Sequence, residues 1–387
     1  MTGGPWREGY LVFGAPYIGQ DEQDELLACV QSRWLGSGPR VARLEHDFRA
    51  YLRAPAVVAV NSATAALHLA LRELRLEPGA EVITTPMTFC ATANAIIHAG
   101  LTPVFADCDR DTMNLDPAEI ARRVTPRTRA LVPVHFAGRP CDMRAIATIA
   151  AADRLRVVED CAHAIESTID GQHCVTFGDF GCFSFYVTKN MTTGEGGMVV
   201  CGDEERADRI RIMALHGMSK DAWYRYRDEG FVHYDVVAPG FKYNLTDLAA
   251  SLGIHQLARV ETSWLRRERL WEFYSRALED LPLILPAPVP EGVRHALHLF
   301  TCLVDDTRTR VTRDQVLQGL HALRIGSGVH YRAVHLHSYY RQTHGYREGD
   351  FPNAEYIGAR TFSLPLSAAV TDDDAADVVR ALRTVLA

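Results

Sequence analysis

The sequence predicts an α/β fold: a largely parallel central sheet followed by a smaller α+β portion. Three observations carry this expectation. Short runs of β-branched and apolar residues recur through the first two thirds of the chain, helix-compatible stretches separate several of them, and the runs are continuously apolar rather than alternating. Continuous apolarity marks strands buried on both faces, and strands interleaved with helices pack as parallel crossovers. With 387 residues and 47% apolar content, the chain has material for two cores.

The elements follow in order. "AVVAVN" (56–61) is the first strand and runs directly into the helical stretch "ATAALHLALREL". "EVITTP" (81–86), "TPVFAD" (102–107), "RALVPVHF" (129–136) and "RVVED" (156–160) are the next four strands. "GCFSFY" (181–186) and "GMVVCG" (197–202) bring the set to seven and flank the segment "VTKNMTTGEGG". From residue 244 the pattern turns helical, through "NLTDLAASLGIHQLARVE" and an arginine-rich stretch to Leu281. "LPLILPAPVPEG" (281–292) carries four prolines and reads as a linker or crossing. Beyond it, "HLFTCLVD", "GSGVHY" and "TFSLPL" are strand candidates among helices.

Composition narrows the function classes. The net charge is −7 with no basic stripe, which argues against nucleic acid as the partner. "MTGGPWREGY" has no apolar core of a signal peptide, and no run approaches the ~18 apolar residues of a membrane span. Nine cysteines, an odd number without a CxxC pair, read as buried thiols of a reducing cytoplasm.

Three stretches carry chemistry. In "NSATAALHLAL" a strand ends at Asn61 and small hydroxyl residues open a helix, whose free N–H groups and positive dipole suit a phosphate. The plainer alternative makes Ser62 or Thr64 an N-cap. Neither GxxxxGK[ST] nor a strand-linked GxGxxG is present, so a phosphate here is not held by a P-loop. In "VVEDCAHA", Asp160 ends a buried strand, where open α/β sheets place ligands. Its carboxylate suits either a helix cap or a protonated heterocyclic nitrogen. His163, three residues on, shares the face of Asp160 if the segment is helical. In "FSFYVTKNMTTGEGG", Lys189 is one of three lysines, with Lys220 and Lys242, in a chain whose other basic residues are all arginine. An amine condenses with an aldehyde near neutral pH and a guanidinium does not. Phosphate site, acidic partner for a ring nitrogen and reactive lysine together describe pyridoxal 5′-phosphate (PLP) binding.

With these motifs in place, the chain resembles the sugar aminotransferases of the DegT–DnrJ–StrS type. "APYIGQDE", "SRWLGSGP", "NSATAALHLAL", "TPMTFCATANAI", "VEDCAHA", "FSFYVTKNMTTGEGG", "GFKYNLTDLAASLG", "RIGSGVHYRAVH" and "FSLPLS" fall in that family's order along nearly the whole chain. "KYNLTD" and "HYRAVH" are similar to the branch that aminates C4 of the sugar, exemplified by the 4-amino-4-deoxy-arabinose pathway.

The resemblance implies a PLP fold-type-I aminotransferase. Its large PLP-binding domain, with an N-terminal arm and a mostly parallel seven-stranded sheet, would span 1–250, and a small C-terminal α+β domain 251–387. It implies that Lys189 holds PLP and Asp160 pairs with the ring nitrogen, these two being catalytic. Phe89 lies against the ring, His163 sits near it, and Ala63, Thr64 and Ser184 bind the phosphate. Asn244 reaches the phosphate in the neighbouring subunit, or else caps the following helix. His330 and Tyr331 contact substrate. Ala63 stands where many relatives have glycine. A metal site at His330, His335 and His337 does not match a zinc spacing, and no metal is expected. The implied reaction is transfer of an amino group from L-glutamate to a nucleotide-linked 4-keto-6-deoxy sugar such as dTDP-4-keto-6-deoxyglucose, in a cytoplasmic homodimer with shared active sites. A 3-keto sugar nucleotide or cyclitol aminotransferase is the alternative within the family; a non-catalytic pseudoenzyme is the alternative outside it.

Overall fold

The computed structural model describes residues 7–219 and 234–387; Lys220 lies outside them. Strands β1 (Ala56–Val60), β2 (Glu81–Thr84), β3 (Thr102–Phe105), β4 (Thr128–Val132) and β5 (Arg156–Asp160) come first. Two short strands, β6 (Thr168–Ile169) and β7 (Gln172–His173), precede β8 (Phe180–Ser184) and β9 (Gly197–Cys201). The central sheet has seven strands in the order β1-β9-β8-β5-β4-β2-β3, each falling on one of the apolar runs. Only β9 runs against the others, pairing antiparallel with β1 and β8. The carboxyl ends of β1, β5 and β8 therefore share one edge with the amino end of β9. That edge is where an open α/β sheet presents its ligand site.

Helices cover both faces. They are α1 (Gln20–Ser32), α2 (Pro39–Leu52), α3 (Ala63–Glu73), α4 (Cys90–His98), α5 (Pro117–Arg123), α6 (Met143–Asp153), α7 (Glu204–Ala214) and α8 (Asp247–Ala258). On one face Leu67, Leu71, Ile96 and Ile210 pack on Val58, Val82, Val158 and Val199. On the other, Leu44 and Phe48 of α2 and Ile254 of α8 pack on Val57, Phe183 and Val200. Adjacent residues of one strand thus enter opposite cores, which explains the continuous apolar sequence. Side chains close most helix starts: Ser62, Asp116, Asp142, Asp203 and Thr246 each accept a backbone N–H at the start of α3, α5, α6, α7 and α8. Residue 250, where the large domain was expected to end, lies inside α8, whose Ala250, Ile254 and Leu257 are buried in the core beneath the central sheet.

The remaining helices are α9 (Val260–Ala277), α10 (Arg313–Ala322), α11 (Ser338–His344), α12 (Pro352–Arg360) and α13 (Asp372–Leu386), with strands β10 (Leu283–Ile284), β11 (Val293–Arg294), β12 (Phe300–Val304) and β13 (Thr361–Leu364). An antiparallel sheet, β10-β12-β13, buries Phe300, Phe362 and Leu364 against Tyr274, Leu320 and Val378. The proline-rich crossing ends at β11, which pairs with β6. "GSGVHY" is not a strand. Gly328 exchanges two backbone hydrogen bonds with Ser363 (3.2 and 2.8 Å), and the chain then leaves the sheet as Tyr331 reaches toward His163.

Candidate active site

A cavity of about 510 Å³ opens at the carboxyl edge of the central sheet. It gathers Ala63, Thr64, Phe89, Asp160, His163, Ser184, Lys189, His330 and Tyr331, which are far apart in sequence. Asp160 and Ser184 arrive on strand ends, Phe89, His163 and Lys189 on loops that follow strands, Ala63 and Thr64 at the start of α3, and His330 and Tyr331 from the segment after α10.

Lys189 lies between β8 and β9, in a turn closed by its N–H to Tyr186 O at 2.9 Å. Its Nζ has no hydrogen-bond or ion-pair partner among the described residues. Burial lowers its pKa to about 8, while the nearby charge of Asp160 acts the other way. About a tenth of it is therefore the free amine at pH 7, the form that attacks an aldehyde, where an ordinary lysine has far less.

Asp160, at the end of β5, is buried. Its Oδ2 accepts from Thr92 Oγ1 at 2.8 Å, its Oδ1 from Ala162 N at 3.1 Å, and Thr92 Oγ1 lies 2.8 Å from Thr88 Oγ1. Because a carboxylate only accepts, Thr92 donates to it and Thr88 donates to Thr92. Burial raises the pKa of Asp160 against the opposing effects of Thr92, Ala162 and Lys189. A buried carboxylate with so few donors favours a cationic N–H beside it, as a protonated pyridine ring offers. No helix follows: residues 161–167 form turns, and the Ala162 N–H bond to Asp160 closes the first. The expectation that His163 shares a helical face with Asp160 is corrected, and so is the helix-cap alternative for Asp160.

His163 reaches the cavity from this turn. Its Nδ1 accepts from Ala137 N at 3.2 Å and its Nε2 meets the Tyr331 hydroxyl at 3.1 Å. Burial and then the Lys189 charge hold its pKa well below the ordinary value, so it is neutral.

At the start of α3, Ser62 Oγ accepts from Ala65 N at 3.1 Å, so Ser62 is the cap and the N–H groups of Ala63 and Thr64 remain without an intrahelical acceptor. Gly197 brings β9 against this corner: a Cβ there would lie 2.6–2.8 Å from the backbone of Ser62 and Ala63. Open N–H groups at a helix start, with the Ser184 side chain on the same cavity, match a phosphate in place of a P-loop. Phosphate cradle, acidic pocket and unpartnered amine fit PLP.

Phe89 is 59% exposed, at the start of α4, with its ring centroid 6.0 Å from that of Tyr331. Both also line an adjoining groove of about 790 Å³ with Arg332, Tyr339 and Tyr340. His330 Nδ1 lies 2.9 Å from Ser363 Oγ. Asn244 is not brought to this cavity. Its Nδ2 donates to Ser37 Oγ at 2.7 Å, its Oδ1 accepts from Lys242 Nζ at 2.6 Å, and it lines a separate cavity with Trp34 and Arg211. The alternative in which Asn244 caps α8 is corrected, since Thr246 is the cap.

Sequence reasoning missed Thr88, Thr92 and His298. All three line the cavity. Thr92 sits in the first turn of α4 and Thr88 just before its cap, so no helical period joins them; "HLF" at 298–300 reads only as the entry to a core strand. Among the described residues the one grouping of three metal-type side chains is His135, Glu159 and Cys161, all buried. Glu159 already accepts from Val175, Phe177 and Gly178 N–H and bonds His135 Nε2 at 3.1 Å, so its acceptor positions are engaged. No helix among the described residues is long and apolar enough to cross a membrane.

Residues 16–383 match the DegT/DnrJ/EryC1/StrS aminotransferase family. The spore coat polysaccharide biosynthesis protein SpsC of Bacillus subtilis is 47% identical over 381 residues, 98% of each chain. Spr1654 of Streptococcus pneumoniae, designated a sugar aminotransferase and solved in its pyridoxamine phosphate form, superposes with a TM-score of 0.90 at 32% identity over 97% of each chain. DesI, solved in the presence of its TDP-sugar product, gives a TM-score of 0.87 at 32% identity over 99% of this chain and 94% of its own. The chain belongs to the DegT/DnrJ/EryC1/StrS family of PLP-dependent aminotransferases.

Proposed function

We propose that this sugar aminotransferase transfers the amino group of L-glutamate to the keto carbon of a nucleotide-linked 4-keto-6-deoxy sugar, dTDP-4-keto-6-deoxyglucose, giving the 4-amino sugar nucleotide. The observation that carries the reading is continuity of space. The Lys189 cavity shares Thr88, Phe89 and Tyr331 with the larger groove, so a sugar carbonyl beside Lys189 leaves its nucleotide in that groove. Arg332 offers a cation there for a diphosphate, and the aromatic residues offer faces for a base. The TDP-sugar product of DesI, a protein 32% identical to this chain, supports the same substrate class.

When bound, PLP supplies an aldehyde that takes amines and a ring that accepts electrons. Lys189 would hold it through Nζ, Asp160 would keep the proton on its ring nitrogen, and Ala63, Thr64 and Ser184 would take its phosphate. Phe89 would pack on the ring, with His163 beside it. With its amine free, Lys189 would take the Cα proton of glutamate and hold it for return, a task suited to a pKa near 8. His330 and Tyr331 would contact the sugar. In a homodimer, Asn244 of one copy would reach the phosphate site of the other, and the enzyme would work in the cytoplasm. A division into a large and a small domain remains part of this reading, with α8 kept whole on the large domain in place of a cut between 250 and 251.

Incubation with glutamate and a panel of dTDP- and UDP-keto sugars, followed by NMR of the product, tests it. Amination at C4 of dTDP-4-keto-6-deoxyglucose is expected. Amination only of a 3-keto sugar or of a cyclitol would replace the proposal. Mixing Lys189→Ala with Asn244→Asp subunits tests the shared site, because hybrids carry one unaltered site; silence despite demonstrated subunit exchange would remove Asn244 from it.

A further inference from the structure

Behind Lys189 runs a buried polar chain that the reaction as described does not use. Arg267 of α9, 2% exposed, donates from Nη2 to Glu166 Oε1 at 2.5 Å. Asn190, the residue after Lys189, donates from Nδ2 to Glu166 Oε2 at 2.8 Å and to Ala296 O at 2.9 Å. A backbone carbonyl cannot donate, so the Ala296 contact alone fixes which end of the amide is nitrogen. Asn190 Oδ1 then faces His298 Nδ1 at 2.9 Å, and Nδ1 must carry the hydrogen. A neutral imidazole has only one, which leaves Nε2 of His298 bare. Nε2 has no partner among the described residues, and His298 lines the cavity. The ring is held in place by His163, with centroids 4.4 Å apart.

We propose that His298 is a positioning residue for Lys189: the two line one cavity, and with the aminated cofactor bound the bare Nε2 accepts a hydrogen bond from the released Nζ, while Arg267, Glu166 and Asn190 keep His298 in the accepting tautomer. The inference rests on Lys189 being the reactive amine. The groups facing that amine are Asp160, His163, His298 and His330, with Glu195 also on the cavity wall. The three imidazoles are all neutral by burial, and the Lys189 charge depresses each further. Of the three, His163 has both nitrogens engaged and His330 has Ser363 on Nδ1. His298 alone has its tautomer dictated toward an open acceptor.

The test uses the full-length enzyme carrying the aminated cofactor, in which the Lys189 amine is free. The pH dependence of reductive methylation, read by mass spectrometry on the Lys189 peptide, gives its pKa. An acceptor favours the ammonium form, so His298→Leu should lower the Lys189 pKa by about one unit, and His298→Gln, which restores an acceptor, should recover most of the shift. Wild-type ¹⁵N-histidine NMR, assigned by difference against His298→Gln, should show Nδ1 protonated and Nε2 bare. An unchanged Lys189 pKa in folded His298→Leu, or a protonated Nε2 in wild type, overturns the proposal. If His298→Leu does not fold, the wild-type spectrum decides. Failure of the lysine assignment itself shows separately, as borohydride fixing PLP on a peptide other than that of Lys189.

Discussion

His163 donates its single ring proton to Tyr331. The backbone N–H of Ala137 fills Nδ1 at 3.2 Å, so the 3.1 Å contact between Nε2 and the Tyr331 hydroxyl runs from imidazole to phenol. The hydrogen of Tyr331 is therefore left to donate into the cavity. Tyr331→Phe should fold and bind PLP yet lose about tenfold or more in kcat/KM, the effect of one hydrogen bond worth ~1.4 kcal/mol. Steady-state kinetics with the keto sugar checks this; an unchanged kcat/KM would mean that the hydroxyl serves only His163.

Asp160 and Thr92 should separate in effect. Asp160→Asn keeps the shape but no longer favours a proton on the ring nitrogen, so turnover should fall by orders of magnitude with part of the cofactor retained. Thr92→Val removes one donor to the carboxylate and should cost about 1 kcal/mol of stability, with a smaller loss of rate. Melting temperature and single-turnover rate, measured on both variants, check the ranking.

Lys189 destabilises the fold that uses it. Its pKa in the folded chain is about 8 against an ordinary 10.5, so below pH 8 burial of the ammonium costs of order 3 kcal/mol. Between those values the unfolded chain binds more protons than the folded one, and stability rises with pH. Without cofactor, Lys189→Met should thus melt above wild type at pH 7, and the gap should close as pH rises toward 10.5. A gap that is flat with pH would place the amine in solvent.

Gly197→Ala should weaken PLP retention by about tenfold or more, equivalent to ~1.4 kcal/mol. The added Cβ meets backbone atoms of Ser62 and Ala63 at 2.6–2.8 Å and must displace the start of α3. Equilibrium dialysis of PLP against the variant measures the change.

The seven strands of the central sheet were legible because burial on both faces writes itself as unbroken apolar runs. Two-residue strands such as β6, β7 and β11 are too short to leave a pattern. Lys189 was legible because lysine is rare in this chain, and Asp160 and the start of α3 because each follows directly on a buried apolar strand run. The turn after Asp160 was not: "CAHAIES" is helix-compatible, and contacts that no local pattern encodes, Cys161 N–H to Cys182 O and Ala137 N–H to His163 Nδ1, help hold it in turns, beside the Ala162 N–H bond to the Asp160 carboxylate. His298 was hidden because the apolar residues around it read as core, and its tautomer is set by Asn190 and Ala296, contacts that no local pattern encodes.

The central claim is that Lys189 is the amine that holds PLP. Borohydride reduction of the PLP-loaded protein, followed by peptide mass mapping, tests it directly, because the chain has only two other lysines, Lys220 and Lys242. The account predicts the reduced cofactor on the peptide containing Lys189, and none in Lys189→Arg. An adduct on Lys242 or Lys220, or no adduct in wild type that has bound PLP, would contradict it.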